Sequence, residues 1–373
     1  MTDRYVRFVV GDIGGTKEVV PVARAMGQKG WLIRIAADPE GKGKGRLSTE
    51  ILPGILDDDA SPRDPDDLYG IVIGTSATAV KSQIEWTVFG KTHGIPVVWI
   101  EDMYGTASRP AVMGVDPDRL FVMDYVAYEV ARAARKETVI HVFGKPSMAA
   151  TLEKLERRDE IRRRIRKSLE LRNVDSRDRA LLVTYWSGGE DPRRVEGQLR
   201  AVTQLTGAGG RKMRIAIRLH PKIGDENRKA LIGIAKVGQN WLAPSESVVA
   251  ADADELAIAS DLNIADWGGA QGLVSVLADI STVITLFPDD SLKRKSVFPP
   301  AGLPPLVVCG AAFGVTSPAS LFERVEEVFS SRSGPLPHVE PPLSLRPLLQ
   351  KDAAERIGAE IAHLLRNPPR SAG

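Results

Sequence analysis

The sequence predicts an α/β protein built from two doubly wound, Rossmann-like domains. Three observations carry that expectation. Short apolar runs rich in Val and Ile recur along the chain, most of them without polar alternation, as expected for strands buried on both faces of a parallel sheet. Stretches with helical spacing separate these runs, which is the alternation of a βαβ fold. At 373 residues, the chain also exceeds what one ordinary core holds, so two domains are expected.

In the first half, strands are expected at residues 5–10, 31–36, 68–73, 96–100, 119–123 and 139–143, and helices at 18–28, 79–93 and 125–135. The Gly-, Asp- and Pro-rich segment 38–67 reads as a long loop. Residues 148–171 follow with six arginines, Arg157, Arg158, Arg162, Arg163, Arg164 and Arg166. Leu152, Leu155, Ile161, Ile165 and Leu169 lie close to helical spacing, and interleaved acidic residues offer i,i+4 partners. This segment therefore reads as one solvated amphipathic helix rather than a nucleic-acid-binding stretch.

Residues 173–178 are the natural linker, after which the alternation resumes. Strands are expected at 180–185, 213–219, 262–265, 282–286 and 306–308, and helices at 192–206, 226–237, 252–259, 270–278 and 318–330. The proline-rich segment 331–349 cannot be regular throughout. A last amphipathic helix, 352–366, places Ala353, Ile357, Ile361 and Leu364 on one face. The expected domains are thus 1–172 and 173–349, followed by a C-terminal helix and tail, 350–373.

Composition narrows the function classes. A hydrophobic fraction of 43% with 26% charged residues is that of a soluble globular protein, and a net charge of +2 gives no general argument for nucleic acid or a membrane surface. The single cysteine, Cys309, rules out an internal disulfide framework and reads as a buried thiol in a reducing compartment. No long apolar h-region opens the chain, and no window reaches the length of a membrane span. A cytoplasmic location is expected.

Ligands of open α/β sheets bind outside the carboxyl ends of the strands, here in a cleft that two such domains would form. In the second domain, the strand ending near Ala265 runs into Asp266-Trp267-Gly268-Gly269 and then a helix from Ala270-Gln271. Glycines allow a sharp turn, and the free N–H groups and positive dipole end of a helix make a seat for an anion. Arg218-Leu219-His220-Pro221-Lys222 follows another strand and offers a diphosphate clamp. Tyr185-Trp186-Ser187-Gly188-Gly189 is a further glycine-bearing turn that enters a helix.

In the first domain, Asp12-Ile13-Gly14-Gly15-Thr16-Lys17 follows the first strand. It spells the phosphate loop of actin-like sugar kinases. A helix follows it rather than a hairpin, however, so it reads as a site-lining βα turn where Gly14 and Gly15 let a substrate approach. Thr75 and Ser76 follow the third strand and either line the site or cap the next helix. Glu101 and Asp102 close the fourth strand as candidate general bases, only one of which is expected to face the cleft. No His, Asp or Glu cluster has metal-ligand spacing, so neither metal nor cofactor is expected.

The order of these features resembles the nucleotide-sugar enzymes of the GT-B fold, the glycosyltransferases and UDP-N-acetylglucosamine 2-epimerases. The segment from Asp266 to Gln271 is similar to the epimerases' Asp-Ser-Gly-Gly-x-Gln turn. Arg218-Leu219-His220-Pro221 resembles their basic His-Pro segment, and Gly94-Ile95-Pro96 resembles their Gly-Ile-Pro strand. Two departures stand out. Trp99 replaces the His of the epimerases' His-x-Glu-Ala-Gly, and Thr75 replaces the Asp of their Gly-Asp.

The resemblance implies two Rossmann-like domains with a C-terminal helix packed back on the first. It also implies a metal-independent glycosyltransferase acting on a nucleotide-diphosphate-sugar, with an epimerase-like enzyme or a non-catalytic nucleotide-sugar-binding protein as alternatives. The implied donor-binding residues are Arg218, His220, Lys222, Ser187, Gly188, Gly268, Gly269, Ala270 and Gln271, with His220 also catalytic. Gly14, Gly15, Thr75 and Ser76 form the acceptor-side loops, and Asp12, Glu101 or Asp102 is the base. The implied partner is this small molecule, with no nucleic acid and no stable membrane insertion, and a homodimer is compatible with the reading.

Overall fold

The computed structural model describes residues 4–38, 56–57, 65–76, 80–168, 180–188, 191–220, 223–238, 241–242, 252–267, 269–288, 302–330 and 342–367. Most of the expected loop at 38–67, the linker at 173–178 and residues 331–341, along with Lys222 and Gly268, lie outside these. The described residues form two compact units, one of 4–150 with 343–367 and the other from 151 to 330.

The first unit opens with β1 (Tyr5–Val10), α1 (Ile13–Gln28), β2 (Ile33–Ala37), β3 (Leu56–Asp57) and β4 (Leu68–Gly74). It continues with α2 (Val80–Thr92), β5 (Val97–Ile100), β6 (Arg119–Val122), α3 (Tyr125–Ala134) and β7 (Val139–Val142). The seven strands are parallel in the order β3-β2-β1-β4-β5-β6-β7. All six residues of β1 are buried between helical layers, Arg7 among them, whose guanidinium donates to the Tyr5 hydroxyl at 2.9 Å. The chain starts at the middle of the sheet, winds one way through β2 and β3, then returns to β4 and winds the other way. The point of reversal lies between β1 and β4, and their carboxyl ends carry Asp12 on one side and Thr75 and Ser76 on the other.

Helices α4 (Ala149–Glu156) and α5 (Arg158–Ser168) lead into the second unit. Next come β8 (Leu181–Trp186), α6 (Pro192–Val202), β9 (Gly207–Ala208), β10 (Arg211–Arg218), α7 (Asp225–Ala235) and β11 (Trp241–Leu242). They are followed by α8 (Ala253–Ala259), β12 (Leu262–Asp266), α9 (Ala270–Leu277), β13 (Ser281–Thr285), α10 (Pro305–Val308), β14 (Phe313–Val315) and α11 (Pro318–Ser330). The sheet runs β11-β10-β8-β12-β13-β14, parallel throughout, with β9 antiparallel to β10 off that path. Here the reversal lies between β8 and β12.

The chain then returns to the first unit with a 3-10 turn at Leu343–Leu349 and α12 (Ala353–Arg366). Ile357, Ile361, Leu364 and Leu365 of α12 join the core that Val22 and Met26 of α1 belong to. Gly358 brings the two helices close, since a Cβ there would sit 3.2 Å from Met26 Cγ. The expected packing of the C-terminal helix on the first unit is therefore observed.

Three expectations are corrected. The arginine-rich segment is two helices broken at Arg157, and it belongs to the second unit, whose boundary falls at 150/151 rather than 172/173. Four of its six arginines reach partners elsewhere in the unit, while Arg157 and Arg163 stay exposed on the outer face, as an amphipathic segment requires. Arg166 and Arg162 pair with Asp261 at 2.7 and 3.1 Å, Arg158 with Asp279 at 2.7 Å and Arg164 with Glu255 at 2.6 Å. The run 306–308 is not a strand but lies in helix α10, because Pro305 has no N–H for a ladder and suits the first position of a helix. The edge strand is instead β14, and Cys309 is half-buried rather than buried.

Candidate functional site

Two clusters of polar groups form, each at the reversal point of its own sheet. In the first unit, Asp12 caps α1. One carboxylate oxygen accepts from the Gly15 N–H at 2.9 Å and the other from Ser76 Oγ at 2.6 Å, so the two strand ends are stitched together. Thr75 Oγ1 donates to Asp102 Oδ1 at 3.1 Å and shares a 2.7 Å hydrogen bond with Thr106 Oγ1. Both hydroxyls thus serve the cluster.

Gly14 and Gly15 lie in the first turn of α1 rather than in the loop expected of them. A Cβ on Gly14 would sit 2.4 Å from Asp102 Oδ2 and 3.4 Å from Asp12 Oδ1. A Cβ on Gly15 would sit 3.0 Å from the Thr75 carbonyl oxygen. These glycines admit a buried carboxylate and a neighbouring backbone.

Glu101 and Asp102 diverge, as successive residues leaving a strand do. Asp102 joins Asp12. Glu101 turns to the Ala107 N–H at 3.3 Å, and its second oxygen has no partner among the described residues. Burial, with the charge of Asp12 next, pushes the Asp102 carboxyl up to about 6. Burial pushes Glu101 up to about 8, so it is protonated at neutral pH. One cation serves the cluster. Lys145 donates to the Asp102 carbonyl and pairs at 2.9 Å with buried Glu18, which also accepts from Ser147 N and Oγ at 3.0 and 2.6 Å. Asp124 accepts from the Tyr104 hydroxyl close by in sequence, and burial raises its carboxyl.

In the second unit, the three expected loops leave adjacent strands. Arg218 is in register with Trp186, and Trp186 with Ala265, so Arg218 and His220, Ser187 and Gly188, and the approach to α9 share one sheet edge. Ser187 Oγ accepts from the His220 N–H at 2.7 Å, which ties two of the loops, and both Arg218 and His220 are half-buried. Gly269 precedes the first turn of α9. Gly269 and Ala270 are exposed, and open space surrounds the place where a Gly269 Cβ would be. The start of α9 is thus open to solvent. Gly188 packs on β12, since its Cβ would lie 2.5 Å from the Asp266 carbonyl oxygen.

Sequence reasoning missed the groups beneath this edge. Asp266, expected in the turn, is the last residue of β12 and is buried. Arg194 donates to Asp266 Oδ2 through Nε and Nη2 at 3.1 and 2.9 Å, and Gln198 donates to Oδ1 at 3.0 Å. Tyr185 in turn donates to Gln198 at 2.7 Å. A signal was present: Arg194 and Gln198 share the inward face of α6 with Val195, Leu199 and Val202, and a polar pair on an apolar face needs a buried partner. Trp267 follows with φ 54°, a left-handed backbone that costs a bulky residue about 1–2 kcal/mol. The Arg194 guanidinium lies 4.2 Å from its ring centroid.

Among the described residues, no group of three His, Cys, Asp or Glu is placed to hold a metal ion, and no helix is long and apolar enough to cross a membrane.

Two parallel sheets with a reversal in each and a terminal helix returned to the first define the GT-B class of α/β architecture. The chain is similar to the UDP-GlcNAc 2-epimerase of Neisseria meningitidis solved with UDP-GlcNAc. The TM-score is 0.61 with 13% identity, covering 97% of this chain and 100% of that one. It is also similar to S. aureus MnaA solved with UDP (TM-score 0.63, 12% identity, 97% of each chain). Acinetobacter baumannii MurG gives a TM-score of 0.58 at 13% identity, covering 96% of this chain and 99% of that one. At these identities the likeness is one of fold. No protein-family model matches the chain, and no curated protein does.

Proposed function

We propose that the chain is a glycosyltransferase that takes its sugar from a nucleotide-diphosphate-sugar. One observation carries the reading: the second unit brings Arg218, His220, Ser187 and an exposed helix start to the edge of adjacent parallel strands, at the reversal between β8 and β12. There Arg218, His220 and Lys222 would neutralise the departing diphosphate. Ser187, Gly188, Gly268, Gly269, Ala270 and Gln271 would supply N–H, hydroxyl and amide groups around it. Stabilising charge that develops on a leaving group is usually the largest catalytic contribution, and it needs no bound cofactor.

The first unit would serve the acceptor. Asp12, the least buried of the three candidate carboxylates, would take the proton of an acceptor hydroxyl as the new C–O bond forms at the anomeric carbon and the bond to diphosphate breaks. Asp102 lies behind it. Glu101, neutral at pH 7, is better suited to hold a proton than to accept one.

Two of the three solved structures named above are a UDP-GlcNAc 2-epimerase and MnaA with UDP, which keeps an epimerase-like activity as the second reading. Incubation with UDP-GlcNAc followed by NMR separates the two. Inversion at C2 or elimination without an acceptor means an epimerase; donor turnover that depends on an acceptor means a transferase. Calorimetry with nucleoside diphosphates tests the shared premise. Arg218→Ala and His220→Ala should each weaken binding about 10-fold or more, the scale of one charge-assisted hydrogen bond. Unchanged affinity in both would remove the seat from consideration.

A further inference from the structure

One buried cation of the second unit, Arg194, is not part of the clamp above. Arg194 is almost fully buried, with Nε and Nη2 both committed to Asp266 Oδ2. The opposite edge of its guanidinium, Nη1, is sealed from solvent and has no hydrogen-bond partner among the described residues. An arginine is always charged, so an unmet donor on a buried guanidinium is costly. Trp267 lies across the guanidinium, in a backbone conformation that a bulky side chain resists. Two unfavourable features therefore meet two residues before Gly269, where α9 begins. Backbone strain of this kind persists only where the surrounding structure maintains it, and it clusters at ligand clamps and switch regions.

We propose that Arg194 is a further anion-binding residue of the second unit, with Trp267 as its cover. The incoming diphosphate displaces the indole, Trp267 leaves the left-handed region, and Nη1 gains an anionic oxygen as its acceptor. Asp266 and Gln198 keep the fork fixed, so Nη1 is oriented before the ligand arrives. The ligand chemistry rests on the reading of the second unit as a diphosphate seat. The cover adds that the affinity of the empty protein is lowered by the need to lift it, in the way a fractionally populated competent state lowers affinity.

The test is calorimetric titration of inorganic pyrophosphate and nucleoside diphosphates into wild type, Trp267→Gly, Arg194→Lys and the double variant. Lysine retains a charge for Asp266 but lacks the second edge of the guanidinium, so its shorter side chain, drawn to the Asp266 carboxylate, places no donor where Nη1 lies. Trp267→Gly should bind about 10-fold more tightly than wild type, and the gain should vanish in the double variant. Equal affinity of wild type and Trp267→Gly, or a gain that survives in the double variant, overturns the cover while leaving the diphosphate seat standing. Absence of binding by both wild type and Trp267→Gly overturns the seat and the cover together. Fluorine NMR of 5-fluorotryptophan-labelled protein gives an independent reading, with the Trp267 signal assigned by Trp267→Phe. That signal should move on saturation, and a fixed signal in the liganded protein overturns the proposal.

Discussion

Gly14 turns its bare α-carbon toward the carboxylate of Asp102, so that even one methyl group would stand 2.4 Å from Oδ2. Both the carboxylate and the first turn of α1 are held, one by Thr75 and the other by the Asp12 cap. Gly14→Ala would ordinarily favour a helix by up to about 1 kcal/mol. Here it should destabilise the protein by about 1–3 kcal/mol through overpacking. Urea unfolding measures this, and a neutral or stabilising result would contradict the contact.

Asp12 has two roles that substitution can separate. Asparagine caps a helix about as well as aspartate does, so Asp12→Asn should unfold within roughly 0.5 kcal/mol of wild type. Loss of a general base should lower turnover about 100- to 10,000-fold. Asp12→Ala should lose both, with the cap contributing about 1 kcal/mol. If Asp12→Asn turns over donor normally, Asp12 is not the base.

Glu101 makes stability fall as pH rises. Its carboxyl is at about 8 in the folded protein against an ordinary 4.5, so between those values the folded state holds a proton that the unfolded chain has released. Its contribution is fully present below about 4.5 and is lost as pH climbs through about 8, at no more than about 1.4 kcal/mol per pH unit. Glu101→Gln keeps an acceptor for the Ala107 N–H and removes the titration. Thermal unfolding from pH 5 to 9 should show a shallower decline in the variant and greater stability at pH 8 and above.

Asp261 joins α5 to the sheet. Its carboxylate accepts from Arg166, Arg162 and the Leu182 N–H, and it and Arg166 are each about 1% exposed. Asp261→Ala would leave the Arg166 guanidinium buried without its counter-charge and should cost about 3–5 kcal/mol. Removing both charges, as Arg166→Met with Asp261→Ala, should recover part of that loss. Equilibrium unfolding of the two variants checks the order.

What the sequence revealed and what it concealed divide along physical lines. Buried parallel strands are apolar for most of their length, with isolated interruptions such as Arg7 in β1 and Asn263 in β12, so β1, β4, β5, β8 and β12 could be found to within a residue or two. Short runs next to prolines could not be assigned, because Pro304-Pro305-Leu306-Val307-Val308 has the composition of a strand and the backbone of a helix start. The loops carrying Asp12, Thr75, Asp102, Ser187, Arg218 and Gly269 were legible because each follows a recognisable strand. Their long-range partners were not. Lys145 meeting Glu18, and Arg194 meeting Asp266, depend on which strands are neighbours, and strand order is not written in local periodicity.

The return of α12 to α1 has a consequence for how the protein is made. Val22 and Met26 find part of their cover in residues of α12, which emerge only after the entire second unit has been synthesised. At translation rates of about 5–20 residues per second, that interval is on the order of 10–40 s. Throughout it the nascent first unit carries an uncovered apolar stripe along α1. The second unit, contiguous in the described residues from 151 to 330, can close its core while the first still waits. The half of the molecule synthesised first is therefore the half that completes its core last.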